Sequence, residues 1–328
     1  MRGLRTGLRS AARLRGSRWL RGGLAALAVG FGVYGLVAEH AQAGAALHHL
    51  AWYAVLGALA AAEAGLGCMM LAWRALLADL GSPLPPRVAA KVMFVGQLGK
   101  YVPGAVWAVA AQVELARDRG VPRRRAASAT VVAMAVTLAV GLITAAVALP
   151  LTSGQAARHY WWVLACAPLL LVALYPPVLG AVLDRVLRLA RRPPLERRIS
   201  LPGLARCVGW SVLGWACYSL HAWLLVSDVT GRGIHVLPLS AGAYALAWSA
   251  GFVIIFFPGG LGPRELALIA ALAPVMPRGS ALLVAVVSRV VMTIADLGWA
   301  GAGFLLGRGQ RQPDQGRAGA ASESSALR

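Results

Sequence analysis

Ionisable side chains inside long apolar stretches are where this sequence could do chemistry, because at membrane depth each one is costly unless paired or hydrated. Seven stand out: Glu63, Lys100, Glu114, Arg264, Glu265, Arg289 and Asp296. Arg289 and Asp296 are seven residues apart, so on a helix they share a face two turns from each other. That is too far for an ideal direct pair but suits two groups lining one cavity. Pro263 fits a first helical position, which leaves Glu265 in a first turn whose dipole favours a carboxylate. Glu114 and Arg117 have the spacing of a local ion pair. Lys100 either joins the cavity or snorkels to the cytoplasmic surface. Lys100, Arg264 and Arg289 could together compensate a phosphate, the arginines by two bonds at once. Glu63, Glu265 and Asp296 would balance the arginines or bind a cationic headgroup.

Two clusters of Pro and Gly adjoin these residues, Tyr101-Val102-Pro103-Gly104 and Phe257-Pro258-Gly259-Gly260-Leu261-Gly262-Pro263. They break the apolar regions at about 85–117 and 238–276, leaving halves that are each short for a membrane span. Interrupted helices are tolerated at membrane depth only where the freed backbone groups face protein or a watery cavity. Half-helix N-termini would there offer bare N–H groups and a positive dipole end to an anion. Backbone at Gly104, Gly259, Gly260 and Gly262 would approach such a ligand closely because no side chain intervenes. With Pro103, Lys100, Arg264, Glu265, Arg289 and Asp296, these glycines form the candidate substrate-binding set.

The elements that must position this set are membrane helices. Of 328 residues, 59% are hydrophobic and 13% charged, where a soluble domain carries about a quarter charged residues. Apolar runs of spanning length occur at roughly 23–38, 51–73, 127–149, 160–182, 206–227 and 280–306. The expected fold is therefore an all-α polytopic membrane protein with about six transmembrane helices and two broken, re-entrant hairpins. A globular enzyme is excluded, and the net charge of +20 does not signal nucleic acid, because the basic residues lie between apolar runs. The four cysteines lie in apolar runs without a Cys-x-x-Cys pair, and five of the six histidines fall in or beside loops. No disulfide, metal or cofactor is expected.

The short loops set the orientation. Arginines crowd residues 1–22, the segment Arg117 to Arg125 and the loop from Asp184 to Arg206, whereas the loops at 39–50, 150–159 and 228–237 hold only Arg158 and Arg232. By the positive-inside rule both termini are expected in the cytoplasm of a cell-membrane protein. Residues 1–22 read as a basic cytoplasmic segment, 23–306 as the membrane domain and 307–328 as a disordered tail.

The two broken regions also match each other at an offset of 155. Gly96 falls on Gly251, Pro103-Gly104 on Pro258-Gly259 and Pro122-Arg123 on Pro277-Arg278. Each unit, about 51–149 and 206–306, reads span, polar loop, Leu-Pro, broken hairpin, Pro-Arg, span. The charge rule starts the two units from opposite sides, so the duplication is inverted, as in alternating-access carriers.

The stretch Gly96-Gln97-Leu98-Gly99-Lys100-Tyr101-Val102-Pro103-Gly104, followed by the Arg117 to Arg125 segment, resembles one signature of the lysylphosphatidylglycerol synthase transmembrane family. Pro258-Gly259-Gly260-Leu261-Gly262-Pro263-Arg264-Glu265 is similar to the second, and Ser288-Arg289 with Asp296 resembles the closing helix. The likeness runs from about Leu50 to Leu306. It implies the membrane domain that, in multiple peptide resistance factor proteins, moves aminoacylated phosphatidylglycerol between leaflets, and that elsewhere stands alone with roles linked to lipid or polyprenyl-glycan handling. The sequence shows no soluble aminoacyl-transferase domain, so synthesis of lysyl-lipid is not expected.

Together these features lead to the expectation of a flippase-like lipid translocase for an anionic, aminoacylated or polyprenyl-phosphate-linked lipid. Its partners would be membrane lipids with anionic headgroups. Two alternatives carry different signatures: a membrane-embedded transferase on polyprenyl-linked sugars, although an Asp-x-Asp or His-rich loop is lacking, and a non-transporting membrane subunit.

Overall fold

The computed structural model describes residues 50–101, 106–152, 198–253 and 262–306, with a few isolated positions between 177 and 188. The expected span at 23–38, the segment 1–22 and the tail 307–328 lie outside the described residues, as do Pro103, Gly104, Gly259, Gly260 and, but for Pro177, Val178 and Ala181, the expected span at 160–182. Among the described residues there are eight α-helices: α1 (Trp52–Asp79), α2 (Pro86–Gln97), α3 (Val106–Arg117), α4 (Arg123–Ala148), α5 (Leu201–Thr230), α6 (Leu237–Val253), α7 (Pro263–Leu272) and α8 (Arg278–Leu306). Short 3-10 turns at Leu98–Tyr101, Pro150–Thr152 and Gly233–Val236 extend α2, follow α4 and precede α6.

Five segments are long and apolar enough to cross a membrane, and four of them are the expected spans that fall on described residues. The fifth corrects the sequence reading. Gly233–Val253 is a continuous 21-residue segment, so the first half of the second broken region is not short. Two local facts lengthen it. The 3-10 turn runs directly into α6, and Pro238 sits in the first turn of that helix, where its missing N–H costs no bond. In the first broken region α2 and α3 have 12 residues each, short as expected.

The helices start and stop where backbone chemistry dictates. The carbonyls of Pro122 and Pro277 accept the first helical bonds of α4 and α8, from the Ala126 and Ala281 N–H groups at 3.1 and 3.0 Å. The two Pro-Arg pairs thus occupy equivalent helix starts. Ser200 caps α5 by accepting from the Gly203 N–H at 3.1 Å. Gly231 ends α5 with φ +64°, a left-handed conformation that suits glycine.

The first and second sets of four helices meet in a reciprocal way. α1 and α5 pack along their whole length, α2 of the first set lies on α8 of the second, and α6 of the second set lies on α4 of the first. α1 and α5 run antiparallel, since Ala51 meets Asp228, Ala58 meets His221 and Asp79 meets Ser200. α1 and α5 therefore run in opposite senses.

At each end of this antiparallel pair an aspartate closes the contact. The Asp79 carboxylate, at the end of α1, accepts from the Ser200 N–H at 2.7 Å and the Ser200 hydroxyl at 2.5 Å. Asp228, in the last turn of α5, accepts from the Ala51 N–H at 2.7 Å. Both carboxylates stand at the positive N-terminal end of the opposite helix, where a charge-assisted bond to a free N–H is favourable. Gly203 keeps room for the first clasp, because a Cβ there would collide with the Asp79 carboxylate. Asp79→Ala and Asp228→Ala are each expected to destabilise by about 1 kcal/mol, the cost of a lost N-cap. Thermal unfolding in detergent checks this, with additive losses in the double variant because the two clasps lie at opposite ends.

Between the clasps, small residues let the backbones approach, as membrane helix pairs require. A Cβ on Gly65 would lie 2.5 Å from the Tyr218 ring, and one on Gly214 would lie 2.7 Å from the Met69 methyl group. Gly65 and Cys68 recur as Gly214 and Cys217, with the same spacing. Glycines serve the same purpose in the first broken region. Cβ atoms on Gly96 and Gly99 would each lie 2.9 Å from the Cα atoms of Gln112 and Ala108. This spacing therefore seats α3 against α2 and its 3-10 extension.

Candidate functional site

α8 carries the polar centre of the molecule. It holds Ser288, Arg289 and Asp296, of which Ser288 and Asp296 are buried. Each of the three has a side-chain partner on another element, since two turns along one helix separate Arg289 from Asp296.

Asp296 pairs with Lys100 of the first broken region, Nζ to Oδ2 at 2.6 Å. The pair ties the Leu98–Tyr101 turn to the last helix. Its frame is aromatic: Trp299, one turn on, stacks on Phe94 of α2 with ring centres 4.6 Å apart and donates from Nε1 to the Glu63 carbonyl of α1 at 3.0 Å. Lys100 thus lies within the bundle rather than snorkelling alone, its side chain one-third exposed.

Arg289 faces Glu265 of α7, Nη1 to Oε1 at 3.5 Å. The other oxygen of Glu265 accepts from the Gly262 N–H at 2.7 Å. One donor at this helix start is therefore not bare. Glu265 is the third residue of α7 and folds back onto the N-cap residue, so the protein's own carboxylate already occupies that donor. Gly262 takes φ +93°, a conformation that strains residues with a Cβ, which accounts for glycine before Pro263.

Arg264, between these groups, has a different environment. Its Nη2 donates to the Tyr244 hydroxyl at 2.6 Å, and its guanidinium carbon lies 5.0 Å from the centre of the Tyr244 ring. Among the described residues it has no carboxylate partner. Arg264 and Arg289 both lie close enough to Lys100 to act on its charge. Three cations therefore share one polar region with Glu265, Asp296 and, from α1, Glu63, whose carboxylate feels Asp296.

Tyr244 and His221 complete the region with Ser288, and these two were not among the residues that the sequence singled out. Tyr244 and His221 are fully enclosed, with ring centres 5.5 Å apart. His221 Nδ1 lies 3.0 Å from the Ala58 carbonyl, which can only accept, so Nδ1 carries the proton. Nε2, 2.9 Å from Ser288 Oγ, then accepts from the hydroxyl. One imidazole thus links α1, α5 and α8 beside Arg289. The signal for it was available: a histidine and a tyrosine within spans are polar groups that must find partners.

Glu114 stands apart, as its spacing suggested. It is exposed, pairs with Arg117 at 3.1 Å and accepts two bonds from Arg123 at 2.8 and 2.9 Å. The Arg123 bonds hold its carboxyl below the usual carboxylate range. This tie between α3 and α4 is present at neutral pH and lost as acid protonates the carboxylate.

The fold and this buried charged cluster define a multi-pass membrane protein with a polar centre. The model of the lysylphosphatidylglycerol synthase transmembrane region matches residues 20–299, and the chain belongs to that family. No curated protein matches the sequence.

Proposed function

We propose that the protein is a lipid translocase of the plasma membrane whose central cluster receives an anionic headgroup while the acyl or prenyl chains stay in the bilayer. The observation that carries this reading is Arg264: a cation held by a tyrosine, beside two cations that already have carboxylates. Among the described residues this arginine has no counter-charge of the kind that its depth demands, and a phosphate would supply it with planar, two-bond geometry. Lys100 and Arg289 stand near enough to share the charge. Pro103, Gly104, Gly259 and Gly260 belong to the same broken regions and would line the path. The cargo is an anionic or aminoacylated phospholipid or a polyprenyl-phosphate-linked lipid.

The reciprocal packing of the two sets supports an inverted duplication, with units at about 51–149 and 206–306. Two arrangements of such units, related by exchange of their conformations, would open the cluster to either leaflet in turn. The arginine distribution supports a cytoplasmic position for both termini. A reporter fused after Arg328 is expected to be active only inside the cell, and exclusive activity outside would overturn this orientation.

Purified protein in liposomes, given fluorescent phosphatidylglycerol and a fluorescent prenyl phosphate, tests the function. Exchange of either probe between leaflets above that of protein-free vesicles is expected. No exchange together with turnover of a polyprenyl-linked sugar donor would replace the reading with a transferase, and no activity of either kind would leave a non-transporting subunit.

A further inference from the structure

Tyr244 holds Arg264 through a lone pair and leaves its own proton unused. A guanidinium can only donate, so the hydroxyl oxygen is the acceptor of that 2.6 Å bond and the O–H hydrogen must point elsewhere. Among the described residues no acceptor takes it. His221, with its ring centre 5.5 Å away, has both nitrogens engaged, Nδ1 with the Ala58 carbonyl and Nε2 with the Ser288 hydroxyl. Tyr244 is only 1% exposed, so a donor without an acceptor is costly there.

A second tyrosine adjoins the first. Tyr218 of α5 is also buried, its ring centre 6.1 Å from that of Tyr244 and its ring edge against Gly65 of α1. Among the described residues its hydroxyl makes no hydrogen bond. Arg264, half-buried beside Tyr244, has no carboxylate partner among those residues, since Glu265 is engaged with Gly262 and Arg289, and Asp296 with Lys100. Unused hydroxyl donors and an uncompensated cation share one need, an acceptor that carries negative charge.

We propose that Tyr244 is a ligand of the headgroup: while its lone pair holds Arg264, it donates its O–H to a phosphate oxygen that Arg264 also binds. This deepens the translocase reading above and rests on it. The phosphate oxygen would lie about 2.5–3.0 Å from the tyrosine oxygen. The two bonds reinforce each other, because a hydroxyl that accepts from a cation becomes a stronger donor. Tyrosine therefore adds recognition of the phosphate without adding charge to the cluster, and Tyr218 is the next donor beside it.

Purified protein in lipid-free detergent, given phosphatidylglycerol or inorganic phosphate, tests the assignment. Phosphatidylglycerol is expected to raise the thermal midpoint of the wild type, because a ligand of the folded state stabilises it. Tyr244→Phe keeps the ring, and it should need about 10- to 150-fold more lipid for the same rise, the worth of one hydrogen bond to a charged group. Infrared difference spectra separate donation to the lipid from mere support of Arg264. On addition of phosphatidylglycerol the tyrosine C–O band of the wild type should move to that of a donating hydroxyl, and the change should be missing in Tyr244→Phe. An equal midpoint rise at equal lipid in Tyr244→Phe would overturn the proposal. So would a wild-type C–O band that lipid leaves unchanged, a result that depends on no variant folding. A midpoint rise given by inorganic phosphate and not by phosphatidylglycerol would assign the donor to free phosphate and overturn the lipid site. Wild-type protein that shows both lipid effects yet exchanges no lipid in liposomes would remove the translocase reading and keep Tyr244 as a lipid ligand.

Discussion

Lys100→Met is expected to destabilise the protein by about 3–5 kcal/mol, the cost of stranding a buried carboxylate after its partner is removed. The carboxylate in question is that of Asp296, which is buried in α8 and lies 2.6 Å from the ammonium. Glu63 beside it would aggravate the imbalance. Removing the second charge as well, in Lys100→Met with Asp296→Leu, should recover most of the loss, since a matched apolar pair needs no counter-ion. Folded yield and thermal midpoint in detergent measure both effects. Equal stability of wild type and Lys100→Met would show that the pair does not hold the broken segment to α8. The double variant should nonetheless be inactive in leaflet exchange, because it lacks a cation and a carboxylate of the cluster.

Arg264→Gln is expected to fold normally and to lower lipid exchange by about 10- to 150-fold. This range follows from about 1.5–3 kcal/mol for a hydrogen bond to a charged group, converted at tenfold per 1.4 kcal/mol. Folding survives because no carboxylate among the described residues depends on Arg264, and its bond to the Tyr244 hydroxyl can be kept by an amide. Arg264→Lys separates charge from geometry. It keeps the cation but loses the planar fork, so it should remain impaired. Arg289→Met differs in kind, since it strands Glu265, whose other oxygen caps α7 at Gly262. It should lower folded yield as well as exchange. Full exchange by folded Arg264→Gln would remove Arg264 from the headgroup site.

The contrast between these variants shows how much of the site was legible in the sequence. Charged residues inside apolar runs marked Lys100, Arg264, Glu265, Arg289 and Asp296 because the cost of burying charge is a local property. Which of them pair is not local. Arg289 and Asp296 share a face of α8, yet two turns of rise, about 10 Å, keep them apart. Arg289 reaches α7 and Asp296 reaches the Leu98–Tyr101 turn instead. Neutral polar groups escaped notice because they carry no charge penalty to flag them, although His221 and Tyr244 sit at the centre of the cluster.

The same division holds for the fold. Apolar runs located α1, α4, α5 and α8 to within a few residues, missing mainly the polar ends such as Arg123 to Arg125 and Arg74 to Asp79, which helices carry beyond their apolar stretch. The offset of 155 aligned Pro122 with Pro277 but hid the relation between α1 and α5, where the clasps fall 149 residues apart. Part of that difference is visible in the structure: α6 has 17 residues where α2 has 12. The helical continuity of Gly233–Val253 was concealed by Pro238, whose effect depends on its being in a first turn.

The most direct test of the central claim asks whether the headgroup charge is what the cluster recognises. Leaflet exchange by wild-type protein in liposomes can be measured for fluorescent phosphatidylglycerol and for the same probe with its phosphate methylated to a neutral triester. The cluster of Lys100, Arg264 and Arg289 predicts exchange of the anionic probe and loss of that exchange on methylation. Equal exchange of the two probes would contradict it.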